Sequence, residues 1–286
     1  MRELRPAFYD RFACLADRCR HSCCRGWEID VDEDSARYYR SLSGALGDEL
    51  RAALRQENGV RFFALTEAED CPFLRRDGLC RLYAELGEDA LCDICALHPR
   101  FFAEVRGYRL SGLGLSCEAA TALLLSEPLL FLTDGGEELT LSALLRLLGE
   151  DTPREALRFT PTVDAAYYRA LLERCAVCEA LDEAWTQELA SLSADPERAA
   201  ADAAAFRERC DPALPERAFG YVLFRQLERL EEHGLAPLLR FAREAADLVF
   251  LVAARSGDLP EALRRWSAEV EYSDENVDRL LQGRRE

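Results

Sequence analysis

The chain has 286 residues, 49% hydrophobic and 31% charged, a balance that suits a packed globular core and excludes a disordered chain. Its net charge is −17 and it contains no lysine, so it lacks the basic footprint of a nucleic-acid binder. No apolar run approaches the roughly 18–20 residues that cross a bilayer. The N-terminus carries Arg2, Glu3, Arg5, Asp10 and Arg11 where a secretory core would stand, so a cytoplasmic protein without a transmembrane segment is expected.

In chain order, "WEIDV" (27–31) reads as a short strand and "DEDSARYYRSLSGALGDELRAALRQENG" (32–59) as one or two helices ended by Asn58-Gly59. "VRFFAL" (60–65) reads as a second strand, and "CPFLRRDGLC" (71–80) carries an Asp77-Gly78 turn signal between apolar flanks. A shorter helix is predicted over 81–92. From about 121 onward apolar residues recur at three- and four-residue spacing, predicting helices over 141–149, 162–192, 196–210, 215–234 and 235–257. Pro153, Pro196, Pro215, Gly234 and Gly257 punctuate them. A last helix over 274–283 has Ser273 as N-cap and Asp274 and Glu275 in its first turn. The expected fold is mostly α: a cysteine-rich N-terminal module (1–120) with a few short β-strands, followed by an all-helical domain (121–286).

The anomaly is twelve cysteines without an export signal. In a reducing compartment such thiols serve metal binding or catalysis rather than a disulfide framework. Nine stand before residue 118: Cys14, Cys19, Cys23, Cys24, Cys71, Cys80, Cys92, Cys95 and Cys117. Thiolates select zinc, Cu(I) or iron–sulfur clusters, and four of them complete a zinc site or a cubane cluster. Only His21 and His98 accompany them, which favours all-thiolate ligation. Spacing does not choose between zinc and iron–sulfur, and buried cysteines acting as small apolar residues are the plain alternative. Adjacent Cys23 and Cys24 diverge in extended backbone, so one ligates while its neighbour packs or serves a second site. Cys175 and Cys178 continue one helical apolar face with Leu171, Leu181 and Trp185 and read as core, and Cys210 reads as structural. Two catalytic patterns fail: a C-x3-C-x2-C radical site stops at Gly26, and "GLGLSC" (112–117) ends in Cys where a dinucleotide loop needs glycine.

The blocks "FACLADRCRHSCCRGWEIDVD" (12–32), "CPFLRRDGLCRLYAELGEDAL" (71–91), "CALHPRFF" (95–102) and "LSCEAATALLL" (115–125) resemble, in order, motifs of the bacterial flagellin lysine-N-methylases. These belong to a wider group with a cysteine-rich zinc- or iron-chelating domain. "FGYVLFRQL" (219–227) and "SAEVEYSDENVDRLL" (267–281) also look like the family. The resemblance implies an S-adenosylmethionine-dependent lysine N-methyltransferase with an oxygen-sensitive [4Fe–4S] cluster and flagellin as protein substrate. It implies Cys14, Cys19, Cys23, Cys24, Cys71, Cys80, Cys95 and Cys117 as metal ligands. Cys92 ranks lower, because other members need not have cysteine there. The chain is shorter than typical members in its helical half. His98 occupies a usually aromatic position, and Tyr272 stands where the family often has His.

Methyl transfer to a lysine needs an uncharged amine aligned with the methyl sulfonium, hence a base or a desolvating pocket. Carboxylates near the resembling blocks are Glu28, Asp30, Asp32, Glu269 and Glu271, and Trp27 offers a face for a cation. Their plain alternatives are solvated or capping carboxylates and a packing tryptophan. Arg100 suits either a bound carboxylate or a salt bridge within the module. From residues alone, a non-catalytic zinc or iron–sulfur module with a helical partner-binding domain stands as the second reading.

Overall fold

A computed structural model describes residues 2–282. The chain opens with strand β1 (Arg2–Pro6) and then enters a compact unit spanning residues 13–100. That unit holds α1 (Glu33–Ser41), α2 (Gly44–Ala53), the hairpin β2 (Leu54–Glu57) and β3 (Val60–Phe63), α3 (Arg81–Leu86) and α4 (Asp93–Leu97). The second unit takes the residues up to 12 together with everything from 101 on. It continues with β4 (Arg100–Val105), β5 (Tyr108–Leu113), α5 (Glu118–Ser126), β6 (Phe131–Thr133), β7 (Glu138–Leu139) and α6 (Leu141–Leu147). Then come α7 (Ala165–Cys175), α8 (Glu183–Ala194), α9 (Pro196–Arg209), α10 (Ala213–Arg225) and α11 (Leu230–His233). Finally α12 (Leu235–Ser256), α13 (Leu259–Trp266) and α14 (Asp274–Gln282) close the described chain. The fold is mostly α, as expected, and no described helix is long and apolar enough to cross a membrane.

The unit boundaries fall at residues 13 and 100, not near 120, because β1 reaches across the chain. It pairs in parallel with β5 (Leu4 beside Leu110) and antiparallel with β6 (Leu4 beside Thr133), giving the sheet order β4-β5-β1-β6-β7. Residues 101–113 are therefore sheet partners of the first strand. The segment after 121 is not all-helical either: β6 and β7 form a hairpin whose Gly136 (φ 78°) donates its N–H to Thr133 O. The Asp134-Gly135-Gly136 run is the turn chemistry that permits it.

Several local expectations are corrected by tertiary pairing. "WEIDV" is extended but too sparsely bonded to be a full strand. It runs beside β3 through Val31 N to Arg61 O (2.7 Å) and Phe63 N to Ile29 O (3.0 Å). Asn58 (φ 49°) and Gly59 (φ 87°) make the β2–β3 hairpin turn, not a helix stop. The predicted 81–92 helix breaks at Gly87. The 162–192 helix is two, α7 and α8. Cys175 ends the first in the core, Cys178 lies in the connection, and Leu181 is 70% exposed rather than part of an apolar face. Ser273 caps α14 as predicted, its Oγ accepting from Asn276 N at 3.2 Å; Gly283 lies outside the described residues.

Packing in the larger unit centres on α12, whose stretch from Ala245 to Ala254 is buried all round, the pattern of a core helix. Buried Asp247 on that helix accepts from Thr162 N (2.8 Å), Thr162 Oγ1 (3.1 Å) and Tyr167 Oη (2.8 Å), tying the 160s loop and α7 to it. The Tyr221 hydroxyl of α10 both donates to Leu113 O (2.8 Å) and accepts from Leu113 N (2.7 Å). Gly112 makes this approach possible, since a Cβ there would meet the Phe101 ring at 2.3 Å.

Candidate metal centre

The unit of residues 13–100 builds its core from Ile29, Val31, Tyr39, Leu50, Phe63, Phe73 and Leu82, with buried Cys71 and Cys92 among them and Cys24 and Cys80 packed against it. Tyr39 stacks on Phe63 (5.7 Å) and Phe63 meets Phe73 edge-on (5.0 Å), an aromatic floor. Three backbone devices deliver the thiols. Cys71 N donates to Cys24 O at 2.8 Å, and the Arg25–Asp70 ion pair (3.1 Å) flanks that contact. The Asp77-Gly78 turn folds Cys80 back beside Leu74, as the sequence signal predicts. Cys92 and Cys95 lie one turn apart at the start of α4, with Cys95 N donating to Cys92 O at 2.9 Å.

Asp32 holds that last pair in place. Its carboxylate caps α1 through Ser35 N (2.8 Å) and also accepts Asp93 N (3.0 Å) in the first turn of α4. The Tyr39 hydroxyl donates to Ala90 O at 2.7 Å just before it. Asp32 is thus a capping group, while Glu28 and Asp30 are exposed and Trp27 is half-buried.

The thiols perturb one another. Cys24 is drawn down to about 7 by its hydrogen bond with Cys23, and burial pushes Cys71 up to about 12 and also raises Cys80. The hydrogen bond between Cys92 and Cys95 lowers the first and raises the second. Cys71 feels the charges of Cys24, Cys80 and Cys92, and Cys95 those of Cys92, Cys24 and Cys71. Five thiols therefore share one electrostatic neighbourhood. Among the described residues, no three Cys, His, Asp or Glu side chains converge as they would around one ion.

The remaining cysteines of the sequence set are not members of this core, although Cys23 hydrogen-bonds Cys24 at its edge. Cys14 and Cys23 are exposed, and Cys19 donates its thiol to His21 O at 3.3 Å. Cys117 is the N-cap residue of α5 and packs on the core of the other unit. Cys92, ranked low from sequence, is buried in this core and hydrogen-bonded to Cys95. Its C-x2-C spacing with Cys95 at a helix start was the available signal. His98 precedes the cis peptide to Pro99, and burial lowers its pKa. Burial raises the pKa of Cys175 to about 12 and of Cys178 to about 11, which leaves both as inert thiols.

The carboxylates of the C-terminal block belong to the larger unit. Glu269 accepts Leu181 N (2.7 Å) and Asp182 N (3.3 Å), a structural clamp on the α7–α8 connection. Glu271 ends a π-turn over Ser267–Glu271. It is fully buried, accepts Ser267 Oγ at 2.6 Å and lies 3.7 Å from Arg225 Nε; burial raises its pKa.

Comparison with known proteins finds matches over part of the chain. Over 129 residues, 43% of this chain, it is 30% identical to a lysine-N-methylase of Salmonella typhimurium strain LT2 and 29% identical to one of Salmonella choleraesuis strain SC-B67. In each case the stretch covers 32% of the relative, so the chain spans about a third of those proteins. It is 28% identical over 129 residues to the flagellar biosynthetic protein FliU of Salmonella muenchen, covering 76% of it. No protein-family model and no solved structure matches. Over this stretch the chain is similar to proteins named lysine-N-methylase and flagellar biosynthetic protein.

Proposed function

We propose that the chain is a lysine N-methyltransferase of flagellar type, using S-adenosylmethionine, whose thiol-rich unit carries a [4Fe–4S] cluster. The observation that supports it most is the coincidence of the relatives' lysine-N-methylase names with four thiols in or against one small core, Cys24, Cys71, Cys80 and Cys92, and a fifth, Cys95, exposed beside them and hydrogen-bonded to Cys92. The donor set fits such a group: soft thiols, grouped on rigid backbone contacts and short of hard carboxylate donors. Cys24, Cys71, Cys80 and Cys95 are the proposed ligands, each standing in a resembling block and each in the shared neighbourhood, with Cys92 hydrogen-bonded beside them. When bound, the cluster supplies thiolate-held iron with one-electron redox capacity. The chain's own groups position the thiols: Asp32 and Tyr39 fix α4, and the Cys24 thiol is drawn down to about 7 by its hydrogen bond with Cys23.

The charge pattern supports a lysine-bearing protein as substrate. A net charge of −17 attracts a basic surface, and with no lysine of its own the chain offers no competing side-chain target. The test is transfer of labelled methyl from S-adenosylmethionine to flagellin by protein purified without air. Labelling of flagellin lysines, lost in Cys95→Ser, supports the reading. Absence of labelling with the metal-loaded chain refutes it and favours a non-catalytic metal module.

A further inference from the structure

A second polar site lies in the larger unit, where the π-turn meets the end of α10. The Arg225 and Glu271 side chains are 14% and 0% exposed and sit 3.7 Å apart, too far for a hydrogen bond. Arg225 Nε, Glu271 Oε1 and the Oε1 of buried Gln226 have no hydrogen-bond partner among the described residues. Gln226 lies against the same carboxylate. The Arg225 guanidinium is 4.0 Å from the centre of the Phe101 ring and 5.9 Å from that of Tyr272. Tyr272 is 39% exposed.

This arrangement is costly as pure architecture. Desolvating two charges without closing the hydrogen bond between them leaves the penalty largely uncompensated. Elsewhere in the same unit the buried carboxylate of Asp247 and the amide of Asn276 are hydrogen-bonded, and the other unpartnered atoms among its described residues, Arg174 Nε, Arg229 Nε and His233 Nε2, are isolated nitrogens rather than a facing set of opposite polarity. π-turns recur where a helix is distorted for function, and unsatisfied buried polar atoms call for an explanation. The unmet atoms specify a complement: one donor on a cation, one acceptor on an anion and one neutral acceptor. A simple anion would face Glu271, and a simple cation would face Arg225. A group bearing both charges on one carbon meets all three, its carboxylate on Arg225 and its ammonium on Glu271 and Gln226.

We infer that Arg225, Gln226 and Glu271 bind the α-amino-acid end of a small-molecule ligand. Resting on the methyltransferase reading, that ligand is S-adenosylmethionine, and the site lies in the helical unit rather than among the thiols. Glu271, a candidate base from sequence, becomes a binding group.

The test is a binding titration with three probes. S-adenosylhomocysteine carries the α-amino-acid end and no methyl to transfer, 5′-methylthioadenosine lacks that end, and free methionine consists of little else. The unmodified chain should bind S-adenosylhomocysteine at least tenfold tighter than methylthioadenosine. Glu271→Gln, which keeps the side-chain volume, should erase that preference while leaving methylthioadenosine binding unchanged. Arg225→Lys, which keeps the charge but removes Nε, should weaken S-adenosylhomocysteine alone. A folded Glu271→Gln protein with the preference intact overturns the site, as expected if the three atoms hold only water. Methionine binding that Glu271→Gln abolishes, with neither nucleoside bound, keeps the site and refutes the methyl-donor reading. Binding of none of the three overturns both.

Discussion

The two units solve the core problem differently. In residues 101–282 large apolar side chains make most of the interior: α12 is buried from Ala245 to Ala254, and Trp185, Trp266, Tyr168 and a set of phenylalanines belong to the same core. In residues 13–100 the buried set is short, and cysteines occupy positions that would otherwise hold aliphatic residues. A unit this small buries a modest share of its surface and is marginal by hydrophobic packing alone. The proposed metal would add there the stability that the larger unit draws from its apolar core.

The sharpest way to break that contrast is metal removal. Stripping metal should melt the thiol unit selectively, since structural thiolate sites contribute on the order of 10 kcal/mol. Hydrogen exchange should rise across α1, α3 and α4 while α10 and α12 stay protected; uniform loss of protection would contradict it. Next in size is Asp247→Ala, which strands two donors of Thr162 and the Tyr167 hydroxyl and should cost about 3 kcal/mol. Its melting transition should fall without any change in thiol alkylation rates.

Tyr221→Phe, which loses both bonds to Leu113, should cost about 2 kcal/mol in the same unit. Asp32→Ala removes one carboxylate that caps α1 and holds α4, a loss of about 1 kcal/mol. That variant should speed alkylation of Cys95 and leave the larger unit's melting unmoved.

The smallest expected effect is the pH dependence of the larger unit. Burial raises Asp247, Glu244, Glu269 and Glu271 above their unfolded values. The folded form then holds protons that the unfolded form has released. Their contribution is fully present below about pH 4 and is lost as pH rises through the raised values. Melting followed across that interval should show the larger unit weakening with rising pH, and Asp247→Asn should flatten the slope.

Helices with a strong apolar stripe were legible almost to the residue: 196–210 became Pro196–Arg209 and 235–257 became Leu235–Ser256. Their boundaries rest on local chemistry, as at Pro196 and Gly257. The split at 176–182 was not legible, because Glu269 and Asn276 hold that connection from far along the chain. Asn58-Gly59 signals a left-handed pair that suits either a helix end or a hairpin, and only pairing of β2 with β3 decides. The parallel contact of β1 with β5 joins segments a hundred residues apart and leaves no local trace.

For the site, the cysteine motifs were evident from spacing, but which thiols share a core was not. Cys23 and Cys24 look equivalent in sequence. The Cys71 N–H on Cys24 O draws Cys24 to the core, and Cys23 stays exposed beside it.

Iron, acid-labile sulfide and zinc analysis of protein purified without air tests the central claim most directly. A [4Fe–4S] cluster in the thiol unit requires a brown protein with four irons and four sulfides per chain, bleached by air, and loss of both in Cys95→Ser. A colourless chain holding one zinc would contradict the cluster, and a metal-free chain with every thiol alkylated at the same rate before and after iron and sulfide are supplied would contradict the thiol unit as a metal centre.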